Sequence, residues 1–273
     1  MSGIDIRINK LFNGKKNAVI SAIDHVVMYG DQPGIEDSRV AIKGCLDTDA
    51  LIMSKFSLKR NSDLFTSRKS PMPIIRINWS SAFYYPLEYR KGFTEIATMV
   101  EDAVETGAEL VISSLFLEND DEEMETINVG IFSEVVRQKE KLGIPLIGEC
   151  YVVEHKEITP DQMHLKVKRV SRIMAELGAD MVKVFYTNNF SEIINNTPVP
   201  VFSIGAEKLN TDLDVLKKAY DTINAGARGI IFGRNIFMAK NPSKIVAALN
   251  DVINAGLKPE DVIAKYGLVW FFR

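Results

Sequence analysis

PDQMHLKVKRVSRIMAELGADMVKVFY (residues 160–186) holds one complete helix–strand unit. Its first nineteen residues repeat apolar side chains at helical spacing and end in Gly178, a C-terminal helix stop. DMVKVFY (180–186) then reads as a buried strand: short, rich in Val and Phe, bounded by Gly and Asp. The same punctuation recurs elsewhere. Helical patterns at 92–107, 129–143 and 211–226 also end in glycine, and Gly107-Ala108, Gly143-Ile144 and Gly226-Ala227 lead into apolar runs. Eight such runs occur: AVISAID (18–24), ALIMS (50–54), PIIRIN (73–78), ELVISSL (109–115), PLIGECY (145–151), DMVKVFY (180–186), VPVFSI (199–204) and GIIFG (229–233). Near-continuous apolar strands suit a parallel sheet covered on both faces. Eight βα units in a chain of 273 residues predict a (β/α)8 TIM barrel forming a single domain over 1–273. The barrel is expected over about 15–256, with a helical, apolar C-terminal extension over about 257–273. Its GLVWFFR end is expected to pack on another helix or a neighbouring subunit. Lys55–Ser70 reads as a polar, basic connection, and ENDDEEME (118–125) as an acidic helix start.

Composition narrows the function. The apolar share is 46% and the formal charge −3, which excludes a disordered chain and argues against a nucleic-acid partner. Two cysteines and three histidines give no disulfide scaffold and no zinc-site spacing. The N-terminus lacks a secretory h-region and no apolar run approaches a bilayer span, so a cytoplasmic protein with no membrane partner is expected.

An active site in such a barrel lies at the C-terminal strand ends. Those ends carry Asp24-His25, Asn78-Trp79-Ser80-Ser81, Glu149-Cys150-Tyr151, Lys183 and Gly233-Arg234-Asn235. Lys183 is the most informative. Alternation puts Met181, Lys183 and Phe185 on one face and Val182, Val184 and Tyr186 on the other. A lysine turned into an apolar interior is expected to lose its proton readily, and a neutral amine attacks carbonyls. Tyr151, Glu149 and Asp24 are candidates for the proton transfers that Schiff-base chemistry needs. Gly205-Ala206 and Gly233-Arg234 follow strands seven and eight, where barrels commonly hold phosphate.

Four stretches in order, AIDHVVMYGDQPGIED (22–37), ELGADMVKVFYT (176–187), PVPVFSIGAEKLN (198–210) and GARGIIFGRNIF (226–237), resemble the archaeal-type class I fructose-bisphosphate aldolases, barrel enzymes grouped with deoxyribose-phosphate aldolase. The likeness runs from about residue 7 to 250. It implies Lys183 as the Schiff-base lysine, Asp24 as the catalytic aspartate and Tyr151 as general acid/base. It implies phosphate binding through the backbone of Gly205 and Ala206, with Lys208, Gly233, Arg234 and His25 beside it. The family's Trp two residues before the tyrosine is Glu149 here, its Asp-His-Gly is Asp24-His25-Val26, and its Gly-Gly-Pro-Lys is Gly205-Ala206-Glu207-Lys208. Glu149 puts an ionisable group where an aromatic wall stands, which implies a different polar group on the substrate or a second acid/base. The expected enzyme is a metal-independent, cofactor-free lyase acting on a phosphorylated ketose, assembled as a homo-oligomeric ring such as a pentamer or decamer. The alternative is acetyl or transaldol transfer, as in the autoinducer-2 thiolase and aminodideoxyheptulosonate synthase branches. Tyr151 tilts the choice toward the lyase.

Overall fold

The structure is a computed structural model that describes residues 2–87, 89, 91–118, 120–152 and 158–268, without the side chains of 85–87 and 152. Eight parallel strands close into a barrel: β1 Ala18–Ala22, β2 Ala50–Met53, β3 Met72–Arg76, β4 Leu110–Leu117, β5 Leu146–Val152, β6 Met181–Val184, β7 Val201–Ile204 and β8 Gly229–Phe232. Each coincides with one of the apolar runs. β1 pairs with β2 on one side and with β8 on the other, through Ala18↔Gly229 and Ile20↔Ile231.

Strand alternation divides the core in two. Ile20, Ile52, Ile74, Ile112, Ile147, Met181, Phe202 and Ile231 fill the barrel interior. Val19, Leu51, Val111, Leu146, Val182 and Ile230 face the surrounding helices. Helix Gly3–Phe12 adds Leu11 and Phe12 to the interior cluster, with the Phe12 ring 6.2 Å from that of Phe202. The bottom of the barrel is thus packed with apolar side chains, and polar groups enter only in the layer above, toward the C-terminal strand ends.

Helix Pro160–Leu177 matches its sequence pattern, with a Thr159/Gln162 capping box and Gly178 as left-handed C-cap. Three expectations change. Residues 92–107 are not one helix: Thr94–Ile96 pairs antiparallel with Asn78–Ser80, and the helix occupies only Val100–Thr106. Ser81 and Asn78 anchor this hairpin, and Asn78 exchanges hydrogen bonds with the backbone of Ser114 (2.7 and 2.9 Å), substituting for a strand neighbour. Lys55–Ser70 is not a simple loop, because Ser54 caps a helix over Lys55–Arg60. In the acidic stretch, Asp121 caps a 21-residue helix, Glu122–Leu142, that starts earlier than the apolar pattern indicated. Helix Pro259–Tyr266 buries Val262 and Ile263, while the end of the GLVWFFR run, from Val269 on, lies outside the described residues. Among the described residues no helix is long and apolar enough to cross a membrane.

Candidate active site

Interior positions on four adjacent strands change from apolar to polar in one layer. On β3, Met72 and Ile74 are followed by Arg76; on β4, Leu110 and Ile112 by Ser114; on β5, Ile147 by Glu149; on β6, Met181 by Lys183. Glu149 is the register partner of both Ser114 and Lys183. Asp24 joins from just beyond β1. It is the N-cap of the short helix His25–Tyr29 but makes no capping hydrogen bond; its carboxylate turns inward instead.

These groups form one buried network. Lys183 Nζ donates to Glu149 Oε1 at 2.5 Å. Arg76 Nη1 lies 2.8 Å from Glu149 Oε2 and donates to Ser114 Oγ at 2.7 Å, while Ser114 Oγ donates to Glu149 Oε2. Arg76 Nε donates to Asp24 Oδ2 at 2.7 Å. Lys183 is 4% exposed and Arg76 2%. The apolar surroundings expected for Lys183 are therefore not what its amine meets: a carboxylate receives it. Two carboxylates face two cations, so the layer is electrically balanced, which is what permits its burial. Burial pushes both carboxyls up, but Arg76 and then Lys183 override it and hold Asp24 and Glu149 below the usual carboxylate range. Burial disfavours the Arg76 charge, yet Glu149 and Asp24 raise its pKa further.

Above this floor opens a cavity of about 440 Å³. Asp24, Glu149 and Lys183 reach it from below, and Met28, Tyr29, Ala82, Tyr151, Met163 and Phe185 form much of its wall. The Tyr151 ring stands against Phe116, Phe83 and Phe185 at 4.9, 5.8 and 6.3 Å. The other side is built from Ile204 to Glu207 and from Gly233 and Arg234. Gly233 has no alternative: a Cβ there would fall 2.4 Å from His25 Cε1 and 2.9 Å from the Ala22 carbonyl oxygen. The His25 ring fills that space and packs edge-on to Phe237 at 5.3 Å. Burial lowers the His25 pKa to about 4, against the opposing pull of Asp24. Arg234 Nε is buried without a hydrogen-bond partner among the described residues, a donor left for an anion entering the cavity.

The phosphate segment differs in detail from its sequence reading. The amide of Gly205, which lines the cavity, donates to Ile231 O at 3.2 Å, so the sheet already engages it. The Gly205 carbonyl is taken by Asn235 Nδ2 and Lys218 Nζ, both at 3.1 Å. Ala206 lines the cavity in left-handed backbone geometry, φ 57°. Lys208 is not among the cavity-lining residues; Glu207 takes that place, and Lys208 lies toward Asp212, with burial lowering its pKa. Arg76 and Ser114 are central to the network and are not among the candidates the strand-end pattern supplies. The signal for Arg76 was present, because a charge inside PIIRIN raises the same question as the lysine inside DMVKVFY. Cys150, between Glu149 and Tyr151, points to the outer core, and burial drives its thiol pKa up. Among the described residues no group of three His, Cys, Asp or Glu side chains is arranged to hold a metal ion.

Residues 18–239 match the DeoC/LacD family of aldolases. An uncharacterized aldolase of Saccharolobus solfataricus is 33% identical over 264 residues, 93% of this chain and 95% of its own. The 3-hydroxy-5-phosphonooxypentane-2,4-dione thiolase of Yersinia pseudotuberculosis is 27% identical over 268 residues, 97% of this chain and 86% of its own. A solved archaeal fructose-1,6-bisphosphate aldolase, whose catalytic Lys is covalently bound to a carbinolamine intermediate, superposes with a TM-score of 0.76 at 23% identity. That superposition covers 91% of this chain and 98% of the other, and it establishes a shared fold.

Proposed function

The chain belongs to the DeoC/LacD family of aldolases, and from that premise we propose that it is a carbon–carbon lyase that works through a Schiff base on Lys183 and acts on a phosphorylated ketose or keto sugar phosphate. One observation carries this: the Lys183 amine sits on the cavity floor, 2.5 Å from the Glu149 carboxylate, which relays its proton onward into the cavity and is left ionised. An amine freed of its proton attacks the substrate ketone. The C–N bond forms, the carbonyl oxygen becomes a hydroxyl, and a second proton expels it as water. Tyr151, on the wall above, is the group assigned to that proton shuttle. The resulting iminium restores the positive charge facing Glu149, so the floor regains its balance. Tyr151, left as a phenolate by expelling the water, then takes the proton of the substrate hydroxyl beyond the neighbouring carbon, and the C–C bond breaks. Its electron pair moves into the iminium as an enamine, an aldehyde leaves, and protonation and hydrolysis release the ketone. Asp24, held ionised by Arg76, acts as a positioning charge rather than as the base.

Arg234, with its unpartnered Nε, is assigned to the substrate phosphate, with Ala206, Gly233 and His25 around it. The protonated imine is the electron sink, so the reaction requires no metal and survives EDTA. A cytoplasmic location and a homo-oligomeric ring belong to the same proposal and follow the family resemblance. The likeness to the thiolase favours a second reading, transfer of an acyl group from a phosphorylated dione to coenzyme A.

Intact-mass spectrometry after borohydride reduction with dihydroxyacetone phosphate tests the proposal. A single adduct mapping to Lys183, absent in Lys183→Met, is the expected result. No adduct in the native chain across phosphorylated ketones and diones sinks it. Product formation only when coenzyme A is added selects the thiolase reaction.

A further inference from the structure

We propose that Arg76 is a positioning residue for the reaction on Lys183: its guanidinium bridges Asp24 and Glu149 and keeps both as carboxylates through the stage at which the lysine nitrogen carries no charge. This rests on the Schiff-base reading. Arg76 is the inward residue at the end of β3, with Met72 and Ile74 below it. It is buried and does not line the cavity, whereas Asp24, Glu149 and Lys183 do. It therefore acts through its neighbours and not by touching substrate. Its fork spans the site: Nε binds the carboxylate that follows β1, and Nη1 faces the one on β5, with the Ser114 hydroxyl of β4 alongside. The guanidinium faces the Phe83 ring, 5.6 Å from Cζ to its centre. Among the described residues the ion pair of Lys183 is with Glu149.

The remaining charged groups facing the pair are few. His25 Nδ1 is 3.9 Å from Asp24 Oδ1, and its burial favours the neutral ring. Arg234 stands across the cavity. In the resting site two cations match two carboxylates. When the Lys183 amine is consumed as a carbinolamine, its nitrogen becomes neutral, and Arg76 is then the cation in contact with both carboxylates. Without it, two buried like charges face one another and one takes up a proton. Glu149 would then be an acid where a proton acceptor is required. A lysine at this position cannot substitute, because one ammonium centre cannot span both carboxylates as a planar fork does.

The test is the pH dependence of cyanoborohydride trapping of dihydroxyacetone phosphate on Lys183, compared between the native chain and Arg76→Lys. The acid limb in Arg76→Lys is expected to move up by about one pH unit or more. Its plateau rate is expected to fall roughly tenfold or more, with half-saturation changed by less than about threefold. A residue that only supported the fold would lower the competent fraction and leave the limb where it was, so an unmoved limb overturns the proposal. If Arg76→Lys does not fold, the charge-balanced pair Arg76→Met with Asp24→Asn gives the same readout. There Glu149 has still lost its guanidinium, and an unmoved limb is again fatal. A native chain that traps nothing at any pH removes the Schiff-base reading, and this proposal with it. A native chain that traps, with variants of unchanged profile, removes this proposal alone.

Discussion

His25 illustrates how one side chain ties the site to the stability of the fold. Its ring occupies the space left by Gly233, and burial lowers its pKa from 6.5 to about 4. Between those values the unfolded chain binds a proton that the folded chain refuses, so stability rises with pH through that window. The contribution is fully present above pH 6.5 and is lost as pH falls toward 4. Complete loss is worth up to about 3 kcal/mol. Urea unfolding at pH 5 and pH 7 should show a shallower pH dependence in His25→Gln than in the native chain; equal slopes would mean the ring titrates normally. Asp24 and Glu149 act in the same direction but lower, since their folded-state pKa values lie below those of free carboxyls. At this scale the sequence exposed Lys183, Asp24 and Glu149, because strand-end position and alternation are visible in a pattern. It did not expose their partners. Which carboxylate meets which cation depends on register between strands distant in the chain, and on the Asp24 carboxylate turning inward instead of capping its helix. The committed amide of Gly205 is hidden for the same reason, since its acceptor, Ile231, lies on another strand.

The elements were legible where burial on both faces left a continuous apolar run, and all eight barrel strands follow from that one signal. The hairpin of Asn78–Ser80 with Thr94–Ile96 escaped because its strands are three residues each and one face is open, so Thr94-Glu95-Ile96 merges with the helical pattern after it. The seam that closes the barrel has one point with no room for a side chain. At the β1–β8 seam Gly229 has φ 152°, and a Cβ there would sit 2.2 Å from Ala18 O and 2.7 Å from Phe202 Cε1. Gly229→Ala must therefore push the closing strands apart or displace an interior ring. A loss of roughly 3 kcal/mol or more is expected from overpacking and backbone strain together. The unfolding midpoint in urea reports it, and a variant as stable as the native chain would mean the seam is looser than its geometry.

Across the whole molecule, polarity is stacked along the barrel axis: apolar side chains and the Gly3–Phe12 helix below, a balanced ionic layer in the middle, and above it an open cavity where Arg234 Nε has no partner among the described residues. The lower half supplies burial and the upper half supplies unmet electrostatic capacity, which a ligand can satisfy only in the folded state. Stability should therefore be linked to a phosphorylated ligand by mass action. Dihydroxyacetone phosphate at a hundred times its Kd should add about 2.7 kcal/mol, a rise in Tm of roughly 5–10 °C for a chain of this size. Unphosphorylated dihydroxyacetone at the same concentration should give far less, because it leaves Arg234 Nε unpaired. Arg234→Met should shrink the response to the phosphorylated ketone without lowering the Tm of the ligand-free chain by a comparable amount, since its Nε has no hydrogen-bond partner there among the described residues. Equal shifts with both ketones would mean that the lysine, and not the phosphate end, provides the stabilisation. An unchanged response in Arg234→Met would move the anion site to another part of the rim.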